Sequence, residues 1–192
     1  PFNIFQNIKI DNKKHEMPVG LMALGKQKNM LNEREIVNGV FGLAHIHNGH
    51  SLKKYCVTDV LLNKSKKKTI MLDFKNERMI VGGNIPENYS FKGKMYYNSK
   101  LMRMDVWITD NNKEYKILID TGTLYSQFLY TGEIELRGIP DKNSKGVLRM
   151  KNAKILPKEL VGEKQIILGY NDLYKGYIYI DYENDTIYIN QN

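Results

Sequence analysis

Apolar runs rich in Ile, Val and Tyr recur along this chain in pairs, each pair split by a short polar turn. Ile70-Met71-Leu72-Asp73-Phe74 and Met79-Ile80-Val81-Gly82-Gly83 flank Lys75-Asn76. Residues 102–109 and 115–119 flank Asp110-Asn111-Asn112-Lys113, and residues 177–182 and 186–189 flank Glu183-Asn184-Asp185. Runs of this length between turn residues predict β-hairpins. Thirteen Tyr and many Ile and Val, with few Ala, favour a pleated sheet over helices. At 192 residues the chain can bury one large core or two small ones. The expected class is all-β with few short helices.

The remaining segments fit that frame. Residues 1–10 alternate through Phe2, Ile4, Ile8 and Ile10 and break at Asp11-Asn12, which predicts a strand and a turn. Residues 19–24 form a further apolar run. Asn38-Gly39-Val40-Phe41-Gly42-Leu43-Ala44 reads as a buried strand ending in a tight turn. Residues 51–62 are the best helix candidate, with Ser51 as N-cap and Leu52, Tyr55, Cys56, Val60 and Leu61 close to helical spacing. Two hairpins also resemble each other: residues 69–81 can be laid on 176–188, which hints at an internal duplication.

Composition removes several function classes. The net charge is +8, yet the basic residues are spread out except for Lys64, Lys66, Lys67 and Lys68. That stretch reads as a solvated hairpin tip, and a nucleic-acid site needs a broader basic face interleaved with aromatics. No nucleic-acid partner is expected. No apolar run reaches membrane-spanning length, so no membrane role is expected either. The single Cys56 rules out an intramolecular disulfide and reads as a buried free thiol. His45, His47 and His50 have metal-like spacing but no acidic or Cys companion in their Gly/Asn-rich loop, so they read as solvated. No metal and no cofactor are expected. The chain opens on Pro1-Phe2 rather than Met, which predicts either a piece processed from a longer precursor or a chain trimmed at its N-terminus.

The sharpest chemical signal is Lys116-Ile117-Leu118-Ile119-Asp120-Thr121-Gly122-Thr123. Three apolar β-formers lead into Asp120 and predict a carboxylate at a buried strand tip. Gly122 would let backbone N–H groups approach it, and the hydroxyls of Thr121 and Thr123 would add donors. A carboxylate held that way stays ionised although partly desolvated, which suits a general base. Taken alone, Asp-Thr-Gly is an ordinary turn sequence. A second apolar run ending in Gly, Gln165-Ile166-Ile167-Leu168-Gly169, shifts the balance, since Tyr170-Asn171-Asp172-Leu173 and a closing hairpin follow it.

In that order these segments resemble the C-terminal lobe of pepsin-like aspartic proteases. Upstream landmarks agree. The 38–44 segment is similar to the family's Asp-Gly-Ile-Leu-Gly-Leu-Ala stretch, and residues 79–83 to its Phe-Gly-Gly strand. Tyr89-Ser90-Phe91-Lys92-Gly93 resembles the Tyr-Thr-Gly that follows, and Met104-Asp105-Val106-Trp107-Ile108 the strand before the second active-site loop. The resemblance implies a bilobal acid-protease fold with an incomplete N-terminal lobe over residues 1–85 and a C-terminal lobe over 86–192. It also implies Asp120 as the catalytic residue, Thr121, Gly122 and Thr123 as the active-site loop, and Ile167, Leu168 and Gly169 as the supporting segment.

The departures are equally definite. The family uses two Asp-Thr/Ser-Gly loops, and only one is present; Asp11, Asp59 and Asp73 lack the following Thr/Ser-Gly. Leu124 stands where the family often has Ser, the stretch from Gly122 to Leu168 is shortened, and the usual C-lobe disulfide cannot form. The implied function is an aspartic endopeptidase, active as a heterodimer, in which a second chain supplies the other Asp. That chain would be the N-terminal part of the same precursor, cleaved during zymogen processing, and the substrate an extended polypeptide. Two alternatives stand beside it: a retropepsin-like homodimer of two Asp120 loops, and a protease-derived binding or inhibitor protein without catalysis. For location, the resemblance alone favours a secretory, extracellular or digestive-vacuole compartment.

Overall fold

The computed structural model of the chain describes residues 3–10, 13–20, 57–98, 103–157 and 165–191. Strands β1 (Asn3–Ile10) and β2 (Lys13–Gly20) form a two-stranded antiparallel hairpin, in register from Asn3↔Gly20 to Ile10↔Lys13. Among the described residues, the α-helix α1 (Val57–Lys64) comes next. The other strands are β3 (Thr69–Asp73), β4 (Arg78–Val81), β5 (Phe91–Asn98), β6 (Arg103–Asp110), β7 (Lys113–Asp120), β8 (Gln127–Phe128), β9 (Gly132–Arg137), β10 (Val147–Ile155), β11 (Gln165–Gly169), β12 (Tyr177–Asp181) and β13 (Thr186–Asn190). They form one sheet in the order β4-β3-β12-β13-β5-β6-β7-β11-β8-β10-β9. The described residues are therefore mostly β-sheet with little helix, as composition leads one to expect. The 38–44 segment, His45, His47, His50, Ser51 and Cys56 lie outside the described residues.

Turn chemistry sets the local registers. Asn111 and Asn112 both take positive φ, 48° and 62°, between the antiparallel β6 and β7. Two positive-φ residues give the turn whose twist matches paired strands, and Asn tolerates it better than most residues. The helix ends at Lys64, later than the sequence pattern places it. The lysine-rich stretch joins α1 to β3 rather than forming a hairpin tip. Lys68 has a structural task there, since its Nζ donates to Leu62 O at 2.6 Å and Ser65 O at 2.9 Å, satisfying carbonyls at the helix end.

Hairpins β3–β4 and β12–β13 are related, but the equivalence runs one residue later than the sequence alignment above, with 69–81 lying on 177–189. Asp73 then falls on Asp181, Asn76 on Asn184 and Glu77 on Asp185. In each turn the Asn amide nitrogen donates to the Asp carboxylate at 2.8 Å, and the Asn backbone N–H donates to the same group at 3.2 and 3.1 Å. Glu77 and Asp185 share a left-handed φ of 51° and 46°. Met71 falls on Tyr179, and these two residues are themselves paired across β3 and β12. A local two-fold axis thus passes between them. On the outer side, β13 pairs with β5, whereas among the described residues β4 is an edge.

Asp73 yields a pH prediction. Burial pushes its carboxyl up, but hydrogen bonds from Asn76 and Arg78 outweigh that and hold it below its ordinary value of 3.8. A carboxyl with a depressed folded pKa contributes stability that is complete above the unfolded value and fades as pH falls through the folded one. The urea midpoint should therefore drop as pH is lowered below about 4. The Asp73→Asn variant, already weaker at neutral pH, should lose less over the same interval. A parallel decline in both proteins would exclude Asp73 as a source of the acid sensitivity.

Among the described residues, three apolar clusters hold the sheet. The largest joins Phe91 of β5, Val106 and Ile108 of β6, Ile117 of β7 and Leu168 of β11 with Ile134, Leu136, Leu148 and Met150 of β9 and β10. The far end of the sheet therefore curls back over β6. Each fully buried aliphatic chain here contributes about 1.5–3 kcal/mol. Leu61 and Leu62 of α1 cover Ile70 and Val81, and Tyr89, Tyr179 and Tyr188 pack together on their own. The expected lobe boundary at residues 85 and 86 falls in the connection from β4 to β5, and the sheet runs continuously past it because β3 pairs with β12.

Candidate active site around Asp120

Strands β7 and β11 lie side by side and parallel, in register from Gln165↔Lys116 to Gly169↔Asp120. A parallel pair cannot be joined by a tight turn. After Asp120 the chain crosses the end of β11 and returns on its far side as β8, where Gln127 pairs antiparallel with Ile167. Strand β11 is thus enclosed by neighbours, and every residue from Gln165 to Gly169 is buried. That enclosure explains why Ile166-Ile167-Leu168 is continuously apolar rather than alternating.

The crossing segment, residues 121–126, sits against the end of β11. Tyr170 N–H donates to Thr123 O at 2.8 Å and Asn171 N–H to Leu124 O at 3.0 Å. Gly169 N–H donates to Ser126 Oγ at 2.9 Å. Contact is so close that a Cβ on Gly169 would stand 2.6 Å from Tyr125 C and 2.8 Å from Ser126 N. Glycine is required at 169 for space.

Asp120 emerges at the end of β7, half-buried rather than at the buried tip expected from sequence. Its Oδ1 accepts the Gly122 N–H at 3.0 Å and its Oδ2 accepts the Thr123 hydroxyl at 2.8 Å. Thr123 N–H also donates to Asp120 O at 3.1 Å, closing the turn. Among the described residues both hydrogen-bond partners of this carboxylate belong to its own loop, and no other acidic or imidazole group joins it. Thr121 and Gly122 are exposed, and Thr121 donates no hydrogen bond to Asp120. Ile167, Leu168 and Gly169 carry the loop from below, as described. No group of three or more His, Cys, Asp or Glu that could hold a metal occurs among the described residues.

Two supporting residues carry no sequence signal. Ser126 is buried, and its hydroxyl donates to Asp172 Oδ2 while accepting from Gly169. Asp172, from the 3-10 turn Tyr170–Asp172, uses its other oxygen to accept Lys151 N–H at 2.9 Å. The pair ties the Asp120 loop to β10. Ser126 is thus a structural hub rather than a nucleophile. In the loop itself, Leu124 and Tyr125 are 53% and 41% exposed.

Chemically, a carboxylate fixed by two donors in its own loop and open on its outer side can polarise or deprotonate a water held against it. No protein-family model matches the chain, and no curated protein matches it.

Proposed function

We propose that this chain is one part of an aspartic endopeptidase of pepsin-like, bilobal architecture, with Asp120 as one of two catalytic carboxylates. The observation that carries the reading is the loop over the end of β11. It fixes both oxygens of Asp120 through Gly122 and Thr123 while leaving the outer side of the group open. The local two-fold between β3–β4 and β12–β13 gives separate support. It relates one hairpin before residue 86 to one after it, and the sequence before residue 86 has no Asp-Thr/Ser-Gly loop. In this reading a second polypeptide, the N-terminal part of the same precursor, supplies the other Asp.

Such a pair works because two adjoining carboxylates cannot both ionise readily, so they share one proton. The ionised member takes a proton from water as the water oxygen bonds to the scissile carbonyl carbon. The protonated member gives its proton to the carbonyl oxygen. Collapse of the tetrahedral species breaks the C–N bond, and the amine leaves with the proton the first carboxylate took. Exposed Leu124 and Tyr125, in the loop itself, provide apolar surface beside the carboxylate for the partner or for an extended substrate.

The test is complementation. Cleavage of an unfolded protein is measured from acid to neutral pH, with and without a pepstatin-type inhibitor, for the chain alone and for the chain mixed with the upstream segment of its precursor. Inhibitor-sensitive activity only in the mixture is expected. Activity of the chain alone would point to a homodimer joining two Asp120 loops. Silence in both preparations would leave a non-catalytic binding protein and end the peptidase reading.

A further inference from the structure

Next to the Asp120 loop lies a cleft of about 450 Å³ lined by Tyr125, Arg149, Lys151, Asn152, Asn171, Asp172, Tyr174, Lys175 and Gln191. Its origin is a break in β10. The strand pairs with β9 to Met150↔Ile134, slips register, pairs with β9 again at Ala153↔Gly132, and joins β8 at Lys154↔Gln127. Lys151 and Asn152 are the two residues at the slip. A bulge re-aims side chains that a regular ladder would hold elsewhere. The ladder bond lost by Lys151 N–H is replaced by Asp172 Oδ1, so the irregularity is braced.

The charge in the cleft is unbalanced. Lys151 and Lys175 make no ion pair among the described residues. Arg149 shares its one carboxylate, Glu135, with Arg137, at 3.0 and 2.9 Å. Both guanidinium groups hold the Glu135 carboxyl below its usual range, Arg149 foremost. Asp172, the only acid in the lining, has both oxygens engaged by Ser126 and Lys151 N–H. The side-chain amides of Asn152 and Asn171 have no hydrogen-bond partner among the described residues. On the walls, Lys154 Nζ stands 4.9 Å over the Tyr125 ring and Lys175 Nζ 5.3 Å over the Tyr174 ring.

We infer that this cleft binds an acidic segment of polypeptide, its anionic group a carboxylate or a phosphate monoester. Cations without an ion-pair partner and free amide donors are what recognises such groups, and the ring faces of Tyr125 and Tyr174 hold Lys154 and Lys175 at the walls. The volume is that of a pocket for a few side chains, whereas a nucleic acid needs a wide basic face. The inference rests on the proposed function only for the polypeptide nature of the ligand. Tyr125 is five residues from Asp120, so its Cα lies within about 18 Å of the carboxylate's Cα. An extended substrate spans that distance with about five residues. The cleft would then select substrates carrying acidic residues a few positions from the cleaved bond.

Binding is measured by fluorescence anisotropy on the full chain carrying Asp120→Asn, so that cleavage plays no part. The probes are dye-labelled peptides with a run of glutamates, with phosphoserines in their place, and with glutamines in their place. Expected is salt-sensitive binding of the acidic peptides, weakened about tenfold by Lys151→Gln with Lys175→Gln. The charge-matched pair Lys66→Gln with Lys142→Gln, on exposed sites elsewhere, should leave it within about twofold. The tighter of the glutamate and phosphoserine probes identifies the anionic group. Equal weakening by both pairs, equal binding of the glutamine peptide, or no binding at all overturns the proposal. So does a single-stranded oligonucleotide that binds more tightly and loses affinity with the cleft pair. A failed cleavage assay leaves all of these readings intact, so the two proposals fall separately.

Discussion

Replacing Gly169 with alanine is expected to cost about 3 kcal/mol of stability and to displace the Asp120 loop. The new methyl would sit 2.6–2.8 Å from Tyr125 C, Ser126 N and Tyr125 O, all backbone atoms with no rotamer to yield. Overpacking in such places costs about 1–3 kcal/mol or more, because the backbone itself has to shift. Three connections are strained together: Gly169 to Ser126, Tyr170 to Thr123 and Asn171 to Leu124. For a chain of this size the melting temperature should fall by about 6–12 °C. In the completed assembly, activity should fall about a hundredfold beyond any loss of folded protein, since a displacement near 1 Å has that effect. Gly83→Ala is the control, because its Cβ would meet only the Ile80 side chain, at an ordinary 3.4 Å. If both variants unfold at the same urea concentration, the crossing does not hold the loop in the way described.

What the sequence announces here is local. The hairpins are legible because their pairing depends on neighbours in the chain and on turns such as Asn111-Asn112. The Asp120 cradle is legible for the same reason, since its donors are two and three residues away. Strands β9 and β10 escape the sequence reading although Ile134, Leu136, Leu148 and Met150 alternate with charged residues and are at most 2% exposed. Their period of two was available, but charge on every other position and a bulge at Lys151-Asn152 weaken the apolar signal. The order of strands in the sheet is not local. That β3 lies beside β12, or β7 beside β11, depends on which distant edges close one core. Ser126 and Asp172 follow from that order: neither has a motif, and they meet only because the chain crosses β11.

Asp120→Asn should abolish inhibitor-sensitive cleavage by the completed assembly, by about a thousandfold or more, and leave the fold nearly unchanged. The fold survives because asparagine keeps the cradle. Its carbonyl oxygen accepts the Gly122 N–H, and its amide donates to Thr123 Oγ1, which can accept as readily as it donates. Exchanging a charge-assisted hydrogen bond for a neutral one costs about 1 kcal/mol. Catalysis has no such substitute, because an amide neither takes a proton from water nor shares one with the opposing carboxylate. General acid–base groups contribute about 10²–10⁴ in rate, and here one substitution removes half of a pair that titrates as a unit. Thr123→Val divides the two effects. It deletes one donor to the carboxylate but keeps its charge, so activity should fall about tenfold, while the Asn variant shows no pH at which activity returns. Full activity in Asp120→Asn would remove Asp120 from the chemistry, and unfolding of that variant would assign the group to structure instead.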